Sequence, residues 1–348
     1  MGIRLSILDQ TPIFAGESPT EAFHHTIELA QLAERLGYHR FWVSEHHDSD
    51  RVAGSSPEVL ISYLLANTNK IRIGSGGVML QHYSPYKVAE NFNVLAALAP
   101  GRIDLGIGRA PGGLPRSTRA LQQGIVEPAT LAEKLLELEQ YLHNRLDDAH
   151  PHAGIIAAPV VDIPAELYVL GTSVASAEIA AESGLPYVFA LFINSDEQIA
   201  LDAFEAYKRN FQSKNGRVPQ PILALSVIVA DSTDEAEELA GGYELVKIKL
   251  ASGKTLTVGT KELAEEFGRQ SNEAYTIETQ QAQITRGTKE FVRTKLLELQ
   301  QKFAVDELIV VSTNVQNFEQ RKRSYVLLKD AFSEQEGSEL EWEQTVTG

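Results

Sequence analysis

Eight short apolar runs, each followed by a longer helix-patterned segment, recur along almost the whole of this 348-residue chain. The runs are Ile3–Asp9, Phe41–Glu45, Ile71–Met79, Ile103–Ile107, Leu167–Gly171, Pro186–Phe192, Pro221–Ala230 and Glu307–Ser312. They are too apolar for strands with one wet face and fit parallel strands covered on both faces. Between them lie helices with readable starts and stops. Pro19-Thr20-Glu21 opens one, Ile27, Ala30, Leu32, Ala33 and Leu36 keep helical spacing, and Gly37 ends it. Ser176–Ser183 before Gly184-Leu185-Pro186 repeats that pattern, and Asp196–Phe211, Thr233–Ala240, Thr288–Lys302 and Asn317–Phe332 supply more. Strand-then-helix units in this number predict an α/β (β/α)8 TIM barrel, with a doubly wound open sheet as the rival.

Two connections are longer than a barrel needs. Ala110–Pro164 holds a Pro/Gly-rich loop and a helix around Leu131–Asn144, while Gly241–Gly287 is polar with no clear strand. Barrels carry such insertions in the loops at the C-terminal mouth, so both are expected to wall or cover a site. The expected organisation is one domain over residues 1–332, with insertions at about 110–164 and 241–287. The acidic end, Ser333–Gly348, is expected to be a flexible tail.

Composition narrows the function classes. A net charge of −16 argues against binding nucleic acid or an anionic membrane surface. The chain has no cysteine, which removes disulfides, thiolate metal sites and cysteine nucleophiles. No apolar stretch approaches the roughly 20 residues that span a bilayer, and no signal peptide is evident, so a cytoplasmic protein is expected. An anionic cofactor would have to be held by local donors against the overall field, which makes individual arginines informative.

The second run ends in Ser44-Glu45-His46-His47, a carboxylate and two imidazoles where a barrel has its mouth, suited to moving protons near neutral pH. Metal binding by Glu45, His46 and His47 is disfavoured, because adjacent strand residues face opposite ways. Gly74, Gly76 and Gly77 weaken the third run and mark either a close approach to a flat ligand or a bulge that helps close the barrel. Arg109 ends the fourth run, and Arg116 and Arg119 follow. Together they form either an anion site or ion pairs with acidic helices. Gly171-Thr172-Ser173-Val174-Ala175-Ser176 is a phosphate cradle or an ordinary helix cap. Gly106–Gly112 fails the dinucleotide fingerprint, and its prolines argue against a helix starting there.

In their order and spacing, four of these pieces resemble the bacterial luciferase-like, flavin-dependent monooxygenases. They are Phe41–His47, Ile71–Gly77 with Ser84-Pro85, Gly101–Arg109, and Gly171-Thr172-Ser173 with Ser176. The resemblance covers about Ile3–Phe192, with a looser match at Asp306–Ser312. It implies a homodimeric barrel that takes reduced FMN from a separate flavin reductase and uses O2 to oxidise a small organic substrate. It further implies that His46 is catalytic beside the flavin, and we expect Glu45 at the cofactor too. Gly76 and Gly77 would lie under the flavin ring, with a non-proline cis peptide. Arg109, Thr172, Ser173 and Ser176, and more loosely Arg119, would hold the phosphate. Gly108 stands where luciferase alpha chains carry a reactive cysteine, so light emission on a long-chain aldehyde is not implied. Relatives that use the deazaflavin F420 share the fold. F420-dependent hydride transfer therefore stays open as an alternative, as does non-catalytic flavin binding.

Overall fold

The computed structural model describes residues 2–125, 129–214, 216–312, 315 and 317–333, so the expected tail at 334–348 lies outside the described residues. Every run read as a strand is one. In chain order they are β1 (Arg4–Asp9), β2 (Arg40–Val43), β3 (Arg72–Met79), β4 (Ile103–Gly108), β5 (Glu166–Gly171), β6 (Tyr187–Ala190), β7 (Pro221–Val229) and, after the second insertion, β12 (Glu307–Val311). Neighbours pair in parallel, and β6 with β7, β7 with β12 and β12 with β1 close the ring. Closure rules out the doubly wound rival.

The outer layer is α1 (Pro19–Arg35), α2 (Pro57–Ala66), α3 (Pro85–Leu98), α6 (Val174–Ser183), α7 (Glu197–Asn210), α8 (Thr233–Ala240), α10 (Lys289–Phe303) and α11 (Phe318–Ser333), while α4 (Pro115–Leu121) and α5 (Leu131–Leu142) belong to the first insertion. The starts follow local chemistry: Ser18 and Glu21 form a reciprocal capping box at α1, as Thr130 and Glu133 do at α5. No helix starts within Gly106–Gly112, as expected; α4 begins beyond it, at Pro115. Proline is tolerated in the first turn because that N–H has no helical acceptor anyway. No helix among the described residues is long and apolar enough to cross a membrane.

Leu8, Trp42, Tyr168, Val188, Ile222, Ala224, Ile309 and Val311 form a core cluster of their own inside the ring. That packing explains two of the β3 glycines. A Cβ on Gly74 would lie 2.5 Å from the Cβ and the carbonyl oxygen of Asp104 and 2.9 Å from the indole nitrogen of Trp42, and one on Gly76 would lie 2.6 Å from Leu8 Cδ1. A Cβ on Gly77 would meet the Gly106 carbonyl oxygen at 2.6 Å, and the β3–β4 register slips between Gly76 and Val78. The bulge reading therefore holds, and close packing of the barrel itself suffices to require these glycines. Below this layer the lumen is closed by ions. Arg40 bridges Asp104 at 2.8 Å and Glu307 at 2.7 Å, Arg72 pairs with Asp104, and Ser6, Trp42 and Tyr168 add hydrogen bonds. Buried carboxylates are tolerated there because each is matched by a guanidinium and further donors.

The second insertion is not strandless. It contains β8 (Glu244–Leu250), β9 (Thr255–Val258), α9 (Lys261–Ser271), β10 (Tyr275–Gln281) and β11 (Ile284–Gly287). The strands β10, β8 and β9 make an antiparallel sheet, and β11 pairs with the upper half of β7. Val246, Ile248 and Leu250 alternate with polar neighbours along β8 and pack with Ala264 and Phe267 of α9. The surrounding polar strands, β10 above all, hide that alternation from a sequence reading.

Candidate active site at the barrel mouth

The chain leaves β2 at Val43 and runs through Ser44, Glu45, His46 and His47 at the rim. Backbone bonds fix this segment: the His46 N–H donates to Gly54 at 2.8 Å and the His47 N–H to Gly112 at 2.7 Å. Glu45 is completely buried. One carboxylate oxygen accepts from His47 Nε2 at 2.7 Å and from the Tyr83 hydroxyl at 2.8 Å, and the other accepts the Met79 N–H at 3.0 Å. An enclosed carboxylate with these donors shapes the rim through what it holds, which makes Glu45 a positioning residue. His46 sits beside it with Nδ1 3.0 Å from the Ser44 hydroxyl. Desolvation, partly countered by Glu45, pushes the His46 ring down to about 4, so the imidazole is neutral at physiological pH.

The rim after β3 is tied down from the first insertion. Lys134 of α5 is buried, and its ammonium donates to the carbonyls of Leu80, Gln81 and Tyr83 at 3.1, 3.1 and 2.9 Å. His82 Nε2 lies 2.8 Å from the Pro111 carbonyl, which binds the same turn to the loop after β4. The peptide bond between Gly76 and Gly77 is cis, as the resemblance implies.

Arg109 leaves β4 exposed, with no ion pair or hydrogen bond among the described residues. Arg116 instead pairs with Asp48, so for that residue the ion-pair reading wins. Among the described residues Arg119, on α4, reaches only the Gln270 carbonyl of α9, at 3.5 Å. Because Ile107 of β4 is in register with Val169 of β5, Arg109 and the Gly171–Ser173 turn leave neighbouring strands at the same level. At α6, Ser173 caps the helix by accepting from the Ser176 N–H at 3.3 Å. The Ser176 hydroxyl turns inward, to the Ser173 carbonyl at 2.7 Å and the Tyr187 hydroxyl at 2.9 Å. That leaves the Thr172 hydroxyl, without a partner among the described residues, and the first α6 amides as the available donors.

The second insertion roofs this mouth. Leu114, from the loop after β4, is buried in the roof's own core. On the opposite side Thr257 donates to the Ile193 carbonyl at 3.3 Å and Gln280 to the Ser195 hydroxyl at 2.9 Å. No cluster of three or more His, Asp or Glu side chains suited to a metal occurs among the described residues.

A model of the luciferase-like monooxygenase family matches residues 3–327. The chain belongs to the luciferase-like monooxygenases. It is 44% identical over 330 residues to the N-acetyl-S-alkylcysteine monooxygenase of Bacillus subtilis, covering 94% of this chain and 98% of that protein. Among solved structures, apo-MsnO8 superposes with a TM-score of 0.76 at 34% identity, covering 95% of this chain and 98% of that one. The oxygenating constituent of 3,6-diketocamphane monooxygenase from Pseudomonas putida, in complex with FMN, has a TM-score of 0.69 at 15% identity, with the same coverage. At that identity the likeness concerns the fold. As a member of this family the protein is an oxidoreductase. Sequence reasoning located His46, Arg109 and the α6 turn on this mouth. It missed Tyr83, Lys134 and Tyr187, for which no local pattern gives a signal.

Proposed function

We propose that this luciferase-like monooxygenase binds reduced FMN at the barrel mouth and uses O2 to oxidise a small organic substrate, receiving FMNH2 from a separate reductase. The observation that carries the cofactor assignment is Arg109. It is a guanidinium without a carboxylate partner among the described residues, at the end of β4 beside the α6 N-terminus, in a chain of net charge −16. Cation, free amides and the Thr172 hydroxyl fit a phosphate monoester, and they are placed where the mouth is roofed.

When bound, reduced flavin supplies the electrons that activate O2. The protein's own part is orientation, water exclusion and proton control. Arg109, Thr172 and the α6 amides hold the anionic end. The roof limits water entry. His46, neutral at working pH, can accept or share a proton at its ring nitrogen facing away from Ser44. Glu45, Tyr83 and Lys134 keep the rim segments around it in place.

Substrates of the relative named above are the first to test, since 44% identity spans nearly both chains. An S-alkylcysteine carries a thioether, a group readily oxidised by activated oxygen. We also propose a homodimer through α2 and α3. These neighbouring helices expose Val59 (68%) and Tyr63 (59%), and Val94 (46%) and Leu98 (65%), each pair one helical turn apart.

The test is anaerobic titration with reduced FMN, followed by turnover with O2, a reductase and N-acetyl-S-alkylcysteines. Saturable binding with oxygen-dependent product supports the reading. Failure to bind FMN while binding F420, with turnover independent of oxygen, would replace it with hydride transfer. FMN binding with no oxygen-dependent turnover on any substrate would leave a flavin-binding protein.

A further inference from the structure

We propose that Ser44 is a positioning residue that fixes the tautomer of His46, so that the ring presents Nε2–H, a hydrogen-bond donor, to the occupant of the mouth. This deepens the proton-handling role of His46 and rests on the flavin reading for the identity of that occupant. Of the two uses open to Nε2, sharing a hydrogen and accepting one, it selects the first. The contact is set by the main chain. The Ser44 N–H donates to the Asp9 carbonyl at 3.0 Å and the His46 N–H to the Gly54 carbonyl at 2.8 Å, so both residues are anchored to neighbouring backbone. Side chains two residues apart then meet in two separate pairs, Ser44 Oγ with His46 Nδ1 at 3.0 Å and Glu45 with His47 at 2.7 Å. Ser44 is therefore the one hydrogen-bond partner of the His46 ring among the described residues.

Counting hydrogens gives the direction of the bond. Ser44 is only 5% exposed, and among the described residues its hydroxyl meets no polar group except Nδ1. A hydroxyl has a single hydrogen to donate, and a neutral imidazole carries a hydrogen on one nitrogen and a lone pair on the other. Were the hydrogen on Nδ1, that nitrogen would donate to Oγ, and the Ser44 hydrogen would be buried without an acceptor. With the hydrogen on Nε2, the hydroxyl donates to Nδ1 and only oxygen lone pairs go unused, which is the smaller penalty. Burial keeps the ring neutral, so this choice of tautomer persists at working pH. Nε2 has no partner among the described residues, and His46 is partly exposed at the rim. Its hydrogen is thus free for an oxygen that gains negative charge as O2 is reduced, a donor held in place before the charge develops. A carboxylate in the place of Ser44 would draw the hydrogen to Nδ1 and leave Nε2 as a base.

The experiment reads the imidazole nitrogens by NMR in the full-length protein labelled with 15N-histidine, at neutral pH and with no flavin added. The His46→Asn variant identifies the His46 signals among the nine histidines. Wild type is expected to show the Nε2–H form alone, Ser44→Ala a mixture with a measurable share of Nδ1–H, and Ser44→Thr the wild-type pattern. An Nδ1–H ring in the wild type, or a Ser44→Ala ring identical to wild type, would overturn the assignment. With FMN, a reductase and O2, Ser44→Ala should lower kcat at least about tenfold and leave FMN affinity within about twofold, while Ser44→Thr keeps kcat within about threefold of wild type. Equal losses of kcat in the two variants would overturn the donor role. The tautomer is read without flavin, so a wild type that binds no FMN would remove the flavin reading, and the NMR result would still decide the part played by Ser44.

Discussion

Tyr83 and His47 share one oxygen of Glu45, the phenol donating at 2.8 Å and the imidazole Nε2 at 2.7 Å. Their own chain segments follow different strands, β3 and β2. A single buried carboxylate therefore sets the spacing of two sides of the mouth, and its second oxygen takes the Met79 N–H at 3.0 Å.

Replacing Glu45 by Gln keeps the volume but removes the charge and leaves one amide oxygen for three donors. We expect a loss of about 2–4 kcal/mol in a urea unfolding titration, against about 1 kcal/mol for Tyr83→Phe. A Glu45→Gln loss no larger than that of Tyr83→Phe would show that the carboxylate does not organise the rim.

Lys134→Met is nearly isosteric and strips three carbonyls of their common donor. The expected cost is about 2–3 kcal/mol, together with faster amide exchange at Leu80–Tyr83. Unchanged exchange at that turn would mean that α5 packs there without holding it.

The His46 ring titrates near 4 in the folded protein and near 6.5 when unfolded. The unfolded state thus binds the proton first, and stability falls as pH drops from 6.5 towards 4. The His46→Asn variant should lose less stability than wild type across that window, by an amount on the order of 2–3 kcal/mol. Parallel pH–stability curves would contradict the burial of a neutral ring. Above pH 5 the wild-type imidazole stays neutral, so binding and turnover should show no titration of this group there.

Arg109→Ala should weaken FMN binding by about 2–3 kcal/mol and lower its salt dependence, whereas Arg116→Ala, whose partner is Asp48, should not change it. Equal effects of the two substitutions, read by equilibrium titration at two salt concentrations, would remove Arg109 from the anion site.

Leu98→Glu combined with Tyr63→Glu puts charge on the exposed α2–α3 face. Sedimentation should then report a monomer where wild type is a dimer, with helix content unchanged. A wild type that sediments as a monomer, or a dimer that survives both substitutions, would place any interface elsewhere.

Much of this was legible in the chain. Barrel strands such as β3, β4 and β7 are buried on both faces and flanked by helices with capped starts and glycine stops, so burial leaves a periodic record in the order of residues. His46, Arg109 and Thr172 could be assigned to one mouth because the C-terminal ends of parallel barrel strands must gather there. The second insertion defeated the same logic. Its small sheet covers only one face, and its strand β10 is mostly exposed and polar.

By itself, then, the sequence determined the eight strands, the helices between them and the segments that follow the strand ends, because these follow from local periodicity and fixed connectivity, while closure of the ring was seen only in the structure. Only the tertiary structure decided that Trp42 fills space beside Gly74, that Lys134 binds the turn at Leu80–Tyr83, and that Leu114 is buried among Leu250 and Phe267 of the second insertion. Those relations join residues of distant segments. A polar side chain in a loop reads the same whether it ends in water or against a carbonyl, and which of these holds is settled only once the chain has closed.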